Sequence, residues 1–266
     1  MEAVESKNEL IAVWTRLIED RGGVPAAGEG VSYLWAGSTF PFWNTLTLTG
    51  EDIPAEDLSE QLVRAASFMR GRDQGGYLWL FEDLLSPRAK EELERRLEEA
   101  GLEIAFSGAG MAGELSLSEP QHPGLVFRRV ETEDDLETYG EINALAYDMP
   151  TRVGRDALAG SKLWLDEAYA FIGYRDGEPV TCAASIASTG SLFLALVATL
   201  PGHRDNGFGE AVSRKAIFEG ARATGRGRVV LHATAEGRPV YERLGLTANT
   251  PIHFVQPAGA LDEVGD

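Results

Sequence analysis

Residues 197–210 read VATLPGHRDNGFGE, an apolar run that ends at Pro201 and passes through two glycines into sequence with helical spacing. The preceding residues 192–200 form a continuous apolar segment that is typical of a buried strand. Gly207 and Gly209 allow the backbone to approach a ligand closely. Because the first turn of a helix carries unpaired amides and the positive end of the helix dipole, this order of strand, glycine turn and helix predicts a phosphate site.

Two common phosphate-binding patterns do not match this glycine loop, which we define as residues 201–209. A Walker loop needs a lysine after its glycines, and none follows Gly209. A dinucleotide fingerprint needs a third small residue, and Val212 stands at that position. The remaining pattern is Arg204-x-x-Gly207-x-Gly209, and it resembles the pyrophosphate loop of the GNAT acetyltransferase superfamily.

A second segment strengthens this resemblance. Residues 231–246 read LHATAEGRPVYERLGL and resemble the GNAT segment that follows the fifth strand. There, a small polar residue and a glycine precede a helix that carries Val-Tyr-x-x-Leu-Gly. The order of the residues, their spacing and their distance from the glycine loop all fit this pattern. We therefore interpret the C-terminal half as similar to a GNAT domain, which implies that it binds acetyl-CoA.

The resemblance also implies where the ligand binds. Strands 192–200 and 229–233 are expected to separate, so that pantetheine lies in the gap between them and pairs with exposed backbone. The implied cofactor-binding residues are Val197, Thr199, Arg204, Asn206, Gly207, Phe208, Gly209, Glu210, Thr234 and Tyr241. In this set the backbone amides of residues 206–210 would hold the pyrophosphate.

Two of these residues are assigned catalytic roles by the resemblance. Tyr241 is the candidate general acid near the cofactor sulfur, and the alternative for it is a tyrosine that only packs on a helix face. The backbone amide of Thr199 would polarise the thioester carbonyl. No general base can be identified from the sequence, and no metal is expected.

Three positions in the glycine loop leave alternatives open. Arg204 either contacts phosphate or caps the loop through a backbone hydrogen bond. Asp205 stands where glycine is usual in the family, and Asn206 stands where a positive charge is common. Both departures are expected to weaken pyrophosphate binding.

The composition limits the possible partners and compartments. The chain has 266 residues, 44% of them hydrophobic, which supports one large or two medium domains with packed cores. Its formal net charge of −18 argues against nucleic acid or an anionic membrane as a partner, because both are polyanions. The single cysteine, Cys182, is expected to be a buried small side chain. Since the N-terminus has no signal-peptide pattern, we expect a cytoplasmic protein.

The two halves of the chain have the same order of predicted elements. Helix 55–70, strand 77–81, helix 87–100 and strand 102–106 correspond to helix 210–223, strand 229–233, helix 239–244 and strand 252–255. In the first half, the approach to the helix carries carboxylates in place of the glycine loop. The whole pattern resembles bacterial tandem GNAT proteins whose N-terminal half has lost its cofactor loop.

We therefore predict an α+β protein of two tandem GNAT-like domains, each a mixed, mostly antiparallel sheet flanked by helices. The predicted boundaries are 1–119 for the degenerate N-terminal domain, 120–124 for a linker around Pro120-Gln-His-Pro-Gly124, and 125–266 for the acetyl-CoA-binding domain.

The predicted function is transfer of acetyl from acetyl-CoA to a primary amine by direct attack in a ternary complex. The acceptor is a small molecule or a peptide, and the oligomeric state is left open, with a homodimer as one alternative. The first rival is a non-catalytic acyl-CoA-binding or regulatory protein. The second is an acyltransferase of the same fold that uses a different acyl donor or an aminoacyl donor.

Overall fold

A computed structural model describes residues 2–259 of the chain. The chain divides into two compact units. Unit 1 contains the described residues up to Gly110 and from Asn249 onward, and unit 2 contains Met111–Ala248. The chain therefore enters unit 2 within one strand and leaves it within another.

This division differs from the boundaries predicted from the sequence. The predicted linker at residues 120–124 lies inside unit 2, in a segment without regular structure. The predicted last strand of the C-terminal domain, residues 252–255, belongs to unit 1 instead. The end of that predicted domain, residues 260–266, lies outside the described residues. The assignment of a segment to a unit depends on contacts between segments that are distant in the chain. It therefore cannot be read from the order of the elements.

Unit 1 combines helices with a mixed sheet. Its elements in chain order are α1 (Glu2–Asp20), β1 (Ala26–Gly28), β2 (Val31–Trp35), β3 (Asn44–Leu48), α2 (Ala55–Arg70), β4 (Tyr77–Phe81), α3 (Pro87–Glu91), α4 (Leu93–Ala100) and the start of β5 (Leu102–Glu114). Strands β1, β2 and β3 pair antiparallel in sequence, and β3 pairs with β4 in parallel.

The core of unit 1 lies on both faces of this sheet. One face is covered by α2, α3 and α4, through buried leucines such as Leu58 and Leu97 that pack with Leu78. On the other face, the indole of Trp14 in α1 meets the ring of Trp79 edge-on at 5.3 Å between centroids. Alternation of side chains along β4 therefore supplies both layers.

Unit 2 repeats the combination of helices and a mixed sheet. Its elements are β6 (Val126–Arg129), α5 (Glu133–Ala146), α6 (Thr151–Leu158), β7 (Tyr169–Arg175), β8 (Glu178–Ala187), β9 (Leu192–Thr199), α7 (Phe208–Thr224), β10 (Arg228–Thr234) and α8 (Arg238–Leu244). Strands β6 to β9 pair antiparallel in order, and β9 pairs with β10 in parallel. The final strand, β11 (Thr247–Pro257), pairs antiparallel with β4 within unit 1.

The predicted α+β class with mixed, mostly antiparallel sheets is confirmed. Helix 55–70 and strand 77–81 have the predicted bounds. The predicted helix 87–100 is instead divided at Glu92, and the strand predicted to end at Phe106 continues to Glu114. Tertiary pairing extends this strand, although its Gly- and Ala-rich sequence has low strand propensity.

Candidate functional site

Strand β9 contains a bulge that the sequence did not predict. Cys182 of β8 pairs with Ala198, whereas Ala184 pairs with Ala195. Two residues of β9 therefore lie opposite a single residue of β8, which is the arrangement of a β-bulge. Leu196, in the bulge, has φ of 46°, a left-handed backbone conformation that a leucine adopts at a cost of about 1–2 kcal/mol.

Strands β9 and β10 stop pairing two residues before Leu196. Their parallel pairing runs from Leu192 with Val229 to Leu194 with Leu231 and stops there. Strand β9 continues to Thr199 and β10 continues to Thr234. We call the space flanked by residues 195–199 and 232–234 the β9–β10 gap. The predicted separation of these strands corresponds to this stop in the pairing.

The edge of β9 that faces this gap carries backbone groups that lie beyond its last pair with β10. The amide of Leu200 donates to the carbonyl of Val180 in the direction of β8, at 3.0 Å. Because successive residues of a strand direct their amides to opposite edges, the amide of Thr199 faces the gap, and so does that of Val197. An extended ligand could therefore pair with β9 as an additional strand would.

The carbonyl of Leu196 is held by two side chains of α5. The hydroxyl of Tyr139 donates to it at 2.9 Å, and the side-chain amide of Asn143 donates to it at 3.3 Å. Both side chains are buried. Burial raises the pKa of Tyr139 well above its usual value, with a further contribution from nearby Cys182. The Tyr139 hydroxyl is therefore protonated and acts as a donor.

The glycine loop connects β9 to α7 through two left-handed residues. Asp205 has φ of 64° and Gly207 has φ of 75°. Aspartate tolerates this conformation better than most residues, which explains how it stands where the family usually has glycine. The side-chain amide of Asn206 donates to the carbonyls of His203 and Arg204, at 3.2 and 2.8 Å, and so stabilises the turn from within.

The start of α7 presents unpaired amides to this loop. Gly207 is the N-cap, and no side chain caps the helix. Among the described residues, the amides of Phe208, Gly209 and Glu210 form no hydrogen bond. A Cβ at Gly209 would lie 3.2 Å from the Thr199 hydroxyl, so any other residue here would press against that side chain. These amides and the helix dipole together form an anion site of the kind that binds phosphate.

The side chain of Phe208 turns away from this anion site into the core. It is buried and packs with Leu125, Val180 and Ala211. It also meets the ring of His122 edge-on at 5.2 Å between centroids. Phe208 therefore anchors the helix start, and only its backbone amide is available to a ligand.

The carboxylate of Glu210 is neutralised by two arginines. It accepts hydrogen bonds from Arg214 at 3.0 Å and from Arg243 at 2.9 Å. Partial burial alone would raise the pKa of Glu210, but the hydrogen bonds from Arg243 and Arg214 lower it overall. This acid therefore holds the start of α7 to the end of α8 and adds no net repulsion to the anion site.

The guanidinium of Arg204 is directed toward the protein backbone. It donates to the carbonyl of Ala146 at the end of α5 at 2.8 Å and to the carbonyl of Thr199 at 3.4 Å. Of the two roles left open by the sequence, the structure displays the backbone role. Arg204 ties the loop to α5 and brings positive charge close to the last turn of that helix, where the dipole favours it.

Tyr241 lies in α8 and is buried. Burial raises the pKa of its hydroxyl well above the usual value, and Tyr147 contributes to the shift. No hydrogen bond to this hydroxyl is present among the described residues. Its edge carbon lies 3.3 Å from where a Cβ of Gly237 would be, so the ring packs closely against this glycine.

Thr234 and Thr199 both use their hydroxyls in local structure. The Thr234 hydroxyl accepts a hydrogen bond from the amide of Gly237 at 3.2 Å and so shapes the turn into α8. The Thr199 hydroxyl lies 2.8 Å from that of Thr181 on β8. Their side chains therefore position the ends of β10 and β9 on either side of the gap.

Comparison with known proteins yields matches in structure only. No family model matches the sequence, and no curated protein matches it. A GCN5-related N-acetyltransferase from Kribbella flavida aligns with a TM-score of 0.70 and 21% identity, covering 97% of this chain and 98% of the other. The chain has the GNAT fold. A GCN5-related N-acetyltransferase from Sphaerobacter thermophilus aligns with a TM-score of 0.59 and 14% identity, over 85% and 76% of the two chains.

A tandem GNAT protein from the clavulanic acid biosynthesis pathway also aligns, with a TM-score of 0.51 and 13% identity, over 80% of this chain and 74% of that one. Because all these identities are below 25%, the matches establish the GNAT fold and leave the chemistry to be argued from the residues of this chain.

The GNAT fold places the residues selected from the sequence at one end of unit 2. Val197 and Thr199 line the gap, the glycine loop and the start of α7 follow β9, and Thr234 and Tyr241 follow β10. The sequence did not identify Tyr139, Asn143 or Tyr147, which have no motif and resemble ordinary residues of an amphipathic helix and its end. Their ligand contacts remain predictions.

The described residues also provide observations on Cys182, on metal binding and on membrane spans. Cys182 is buried, and burial raises the pKa of its thiol, so this side chain is unsuited to act as a nucleophile. Across residues 2–259, no cluster of three or more His, Cys, Asp or Glu side chains is arranged to hold a metal ion. In the same residues, no helix combines the length and apolarity that crossing a membrane requires.

Proposed function

We propose that unit 2 is an N-acetyltransferase that uses acetyl-CoA and acetylates a primary amine. The observation that carries this proposal is the β9–β10 gap, which ends directly at the unpaired amides of α7. A strand edge beside an anion site matches a ligand with an extended, amide-containing arm joined to a pyrophosphate. The GNAT fold supports the same type of ligand at the level of acyl-CoA.

The residues present fit such a ligand. The amides of Phe208, Gly209 and Glu210, together with those of Asn206 and Gly207, would hold the pyrophosphate. The backbone of Val197 and Thr199 would pair with the pantetheine arm along the gap. The absence of a Cβ at Gly209 leaves its backbone amide accessible to a phosphate oxygen. When bound, the thioester supplies an activated acetyl group.

The chain's residues would then position and polarise the reacting groups. The amide of Thr199 would donate to the carbonyl oxygen of the acetyl group, where negative charge develops during attack. The amine nitrogen would form a bond to the carbonyl carbon as the carbon–sulfur bond breaks. The amine must lose a proton in this step, and solvent or an unidentified base accepts it.

Tyr241 would stabilise the departing sulfur. Its raised pKa keeps the hydroxyl protonated across the neutral range, so it is available as a donor. A phenol ordinarily has a pKa near 10 and a thiol near 8.5, so complete proton transfer to a thiolate is unfavourable when burial raises the phenol further. We therefore propose that Tyr241 acts mainly as a hydrogen-bond donor to the sulfur. Transfer of its proton to the sulfur is a secondary role.

A non-catalytic acyl-CoA-binding protein is the second candidate. Arg204 is engaged with the carbonyls of Ala146 and Thr199, so it presents no free positive charge to phosphate. Binding without turnover would fit this arrangement and the absence of an identified base. A donor with another acyl or aminoacyl group remains a third possibility for the same gap.

The deciding experiment measures thermal stabilisation of the purified chain by acetyl-CoA, longer acyl-CoAs, free CoA and nucleotides. We expect acetyl-CoA at a hundred times its Kd to raise the Tm by about 5 °C or more. Incubation with acetyl-CoA and a panel of primary amines, monitored by the release of free thiol, then separates catalysis from binding. If none of the CoA compounds raises the Tm, the proposal is overturned.

A further inference from the structure

We propose that Tyr139 and Asn143 are positioning residues that hold the β9 bulge in place and thereby keep the β9–β10 gap open. We call this pair the bulge clamp. The assignment of a role in acyl-CoA binding rests on the proposed function, whereas the clamp itself is a property of α5 and β9. Neither residue belongs to the glycine loop or to the Tyr241 segment.

The bulge clamp converges on one atom. The carbonyl oxygen of Leu196 accepts from the Tyr139 hydroxyl at 2.9 Å and from the Asn143 amide at 3.3 Å. The two residues are four positions apart in α5 and therefore lie on the same helix face. The Asn143 amide also lies 3.2 Å from the Tyr139 carbonyl and 3.1 Å from the Cys182 sulfur, which fixes its orientation.

Leu196 needs an external partner because its backbone leaves the regular strand. Its φ of 46° is unfavourable for a residue with a Cβ. A partly buried carbonyl that leaves the ladder is stabilised by another donor. The bulge clamp supplies two, so the strained conformation is stabilised from α5.

Helix α5 is itself held in a fixed place. Gly140 and Gly154 bring α5 and α6 so close that a Cβ at either glycine would overlap the carbonyl of the other. The indole of Trp164 meets the ring of Tyr139 edge-on at 5.7 Å between centroids. Arg204 adds a hydrogen bond to the last turn of α5. The bulge clamp is therefore part of a fixed support and can impose its geometry on β9.

The bulge clamp acts on one part of the proposed ligand site. Leu196 directly precedes Val197, whose amide faces the gap. The anion site at α7 is held separately by Gly207, the Asn206 side chain and the Glu210 ion pairs. Losing the clamp should therefore weaken contacts along the pantetheine arm and leave pyrophosphate binding nearly unchanged.

The first test compares two variants that each remove one buried hydroxyl. Tyr139→Phe removes one of the two donors to Leu196, while Ser185→Ala removes a hydroxyl that donates at 2.7 Å to the carbonyl of Ala216 in α7 and not to the bulge. Calorimetry with acetyl-CoA and with adenosine 3′,5′-bisphosphate, which lacks the pantetheine arm, reports on the two parts of the site. We expect Tyr139→Phe to weaken acetyl-CoA binding about tenfold and bisphosphate binding less than about twofold.

Three results bear on the proposal in this test. The Ser185→Ala control should leave both affinities within about twofold of wild type. Equal weakening of both ligands by Tyr139→Phe would show a general structural effect and overturn the proposal. Unchanged acetyl-CoA affinity in Tyr139→Phe would overturn it as well.

The second test needs no ligand and so separates this inference from the proposed function. Amide hydrogen exchange is followed at residues 195–200 in wild type and in both variants. We expect Tyr139→Phe to raise exchange of the Leu200 amide, which bonds to β8, and of its neighbours in β9 by about tenfold, with no such change in Ser185→Ala. If wild type binds no CoA compound, the proposed function fails, but this exchange pattern still decides the clamp. Equal exchange in the two variants would overturn the clamp.

Discussion

Each unit contains a parallel pair of strands joined through a loop and a helix, but the loop and the strand before it differ between the two copies. In unit 1, β3 leads through residues 49–54 into α2 and then β4; in unit 2, β9 leads through the glycine loop into α7 and then β10. Strand β3 pairs with β2 over all five of its residues without a bulge. Only one residue of β3 extends past its last pair with β4, against five residues of β9 past its last pair with β10.

In unit 1, backbone groups of the corresponding loop, residues 49–54, form hydrogen bonds within the protein. The amide of Ile53 donates to the carbonyl of Leu84 at 2.9 Å, and the Ile53 carbonyl accepts from Ser86 at 3.0 Å. The buried amino group of Lys7 donates to the carbonyl of Thr49 at 2.7 Å. Burial lowers the pKa of Lys7, opposed in part by Glu51. These hydrogen bonds therefore tie the loop of unit 1 to neighbouring segments of the same unit.

The helices that follow these strands differ at the corresponding position. In α8, Tyr241 stands four residues before the C-cap Gly245, and in α4, Leu97 stands four residues before the C-cap Gly101. Leu97 is part of the apolar core of unit 1. A shared order of elements therefore preserves the packing, while the stop in strand pairing and one hydroxyl distinguish the candidate site from the structural copy.

The largest effect is expected from Gly207→Glu. This change places a carboxylate beside the anion site and a side chain at φ of 75°. Like charges at close range cost several kcal/mol, so we expect acetyl-CoA affinity to fall by about 10³-fold in calorimetry. Gly22→Glu in unit 1 is the matched control, because Gly22 has the same φ and open space around it. If Gly207→Glu binds acetyl-CoA as wild type does, the glycine loop is not the phosphate site.

A smaller effect on turnover is expected from Tyr241→Phe. The ring and its packing remain while the donor to the sulfur is lost, so kcat should fall about 10²-fold with little change in the affinity for acetyl-CoA. The measurement is thiol release in the presence of a good amine acceptor. If kcat is unchanged in this variant, Tyr241 has no catalytic role and is a packing residue, as Leu97 is in unit 1.

A modest effect on stability is expected from Glu210→Gln. The change weakens the ion pairs with Arg214 and Arg243, and we expect a loss of about 1 kcal/mol at pH 7 from urea unfolding. Since the folded pKa of Glu210 is lowered, its contribution is complete above the unfolded value near 4.3 and is lost as the pH falls through the folded pKa.

The difference between wild type and Glu210→Gln should therefore shrink below about pH 4. Glu242→Gln is the control, because Glu242 forms one exposed pair with Arg238 at 2.7 Å. A loss of stability that stays constant from pH 7 to pH 3 would contradict the ion-pair explanation.

The smallest effect on the ligand is expected from Lys7→Met. This change removes the donor to Thr49 and so alters the loop of unit 1 at its contact with a buried lysine. Because that loop has no role in the proposed binding, acetyl-CoA affinity should stay within about twofold of wild type. A large loss of affinity in this variant would mean that the two copies are not independent in binding.

Much of the local structure could be read from the sequence. The periodicity of helix 55–70, the apolar strand 77–81 and the glycines that end helices at Gly101 and Gly245 predict elements that the structure contains. Helix α6 was missed, because its Thr and Arg start and the interior Gly154 weaken the helical pattern. That glycine is present for close contact with Gly140, which is a tertiary reason.

The candidate site divides in the same way. Glycines at 207 and 209, and the tyrosine segment after β10, are local patterns whose spacing is visible in the chain. The bulge at Leu196 is invisible there, since LFLALVAT is uniformly apolar and contains no residue that favours a left-handed backbone. Tyr139 and Asn143 could not be connected to it, because more than fifty residues separate them from Leu196 in the sequence.

Sequence alone determined the GNAT-like order of elements, the difference between the two loops and the position of the glycine loop between a strand and a helix, because each depends on neighbouring residues. Only the tertiary structure decided that β11 pairs within unit 1, that Arg204 bonds to the backbone and that α5 holds the bulge of β9. These features depend on hydrogen bonds between segments far apart in the chain. Such bonds form only once packing has brought their donors and acceptors together, so no local pattern of residues encodes them.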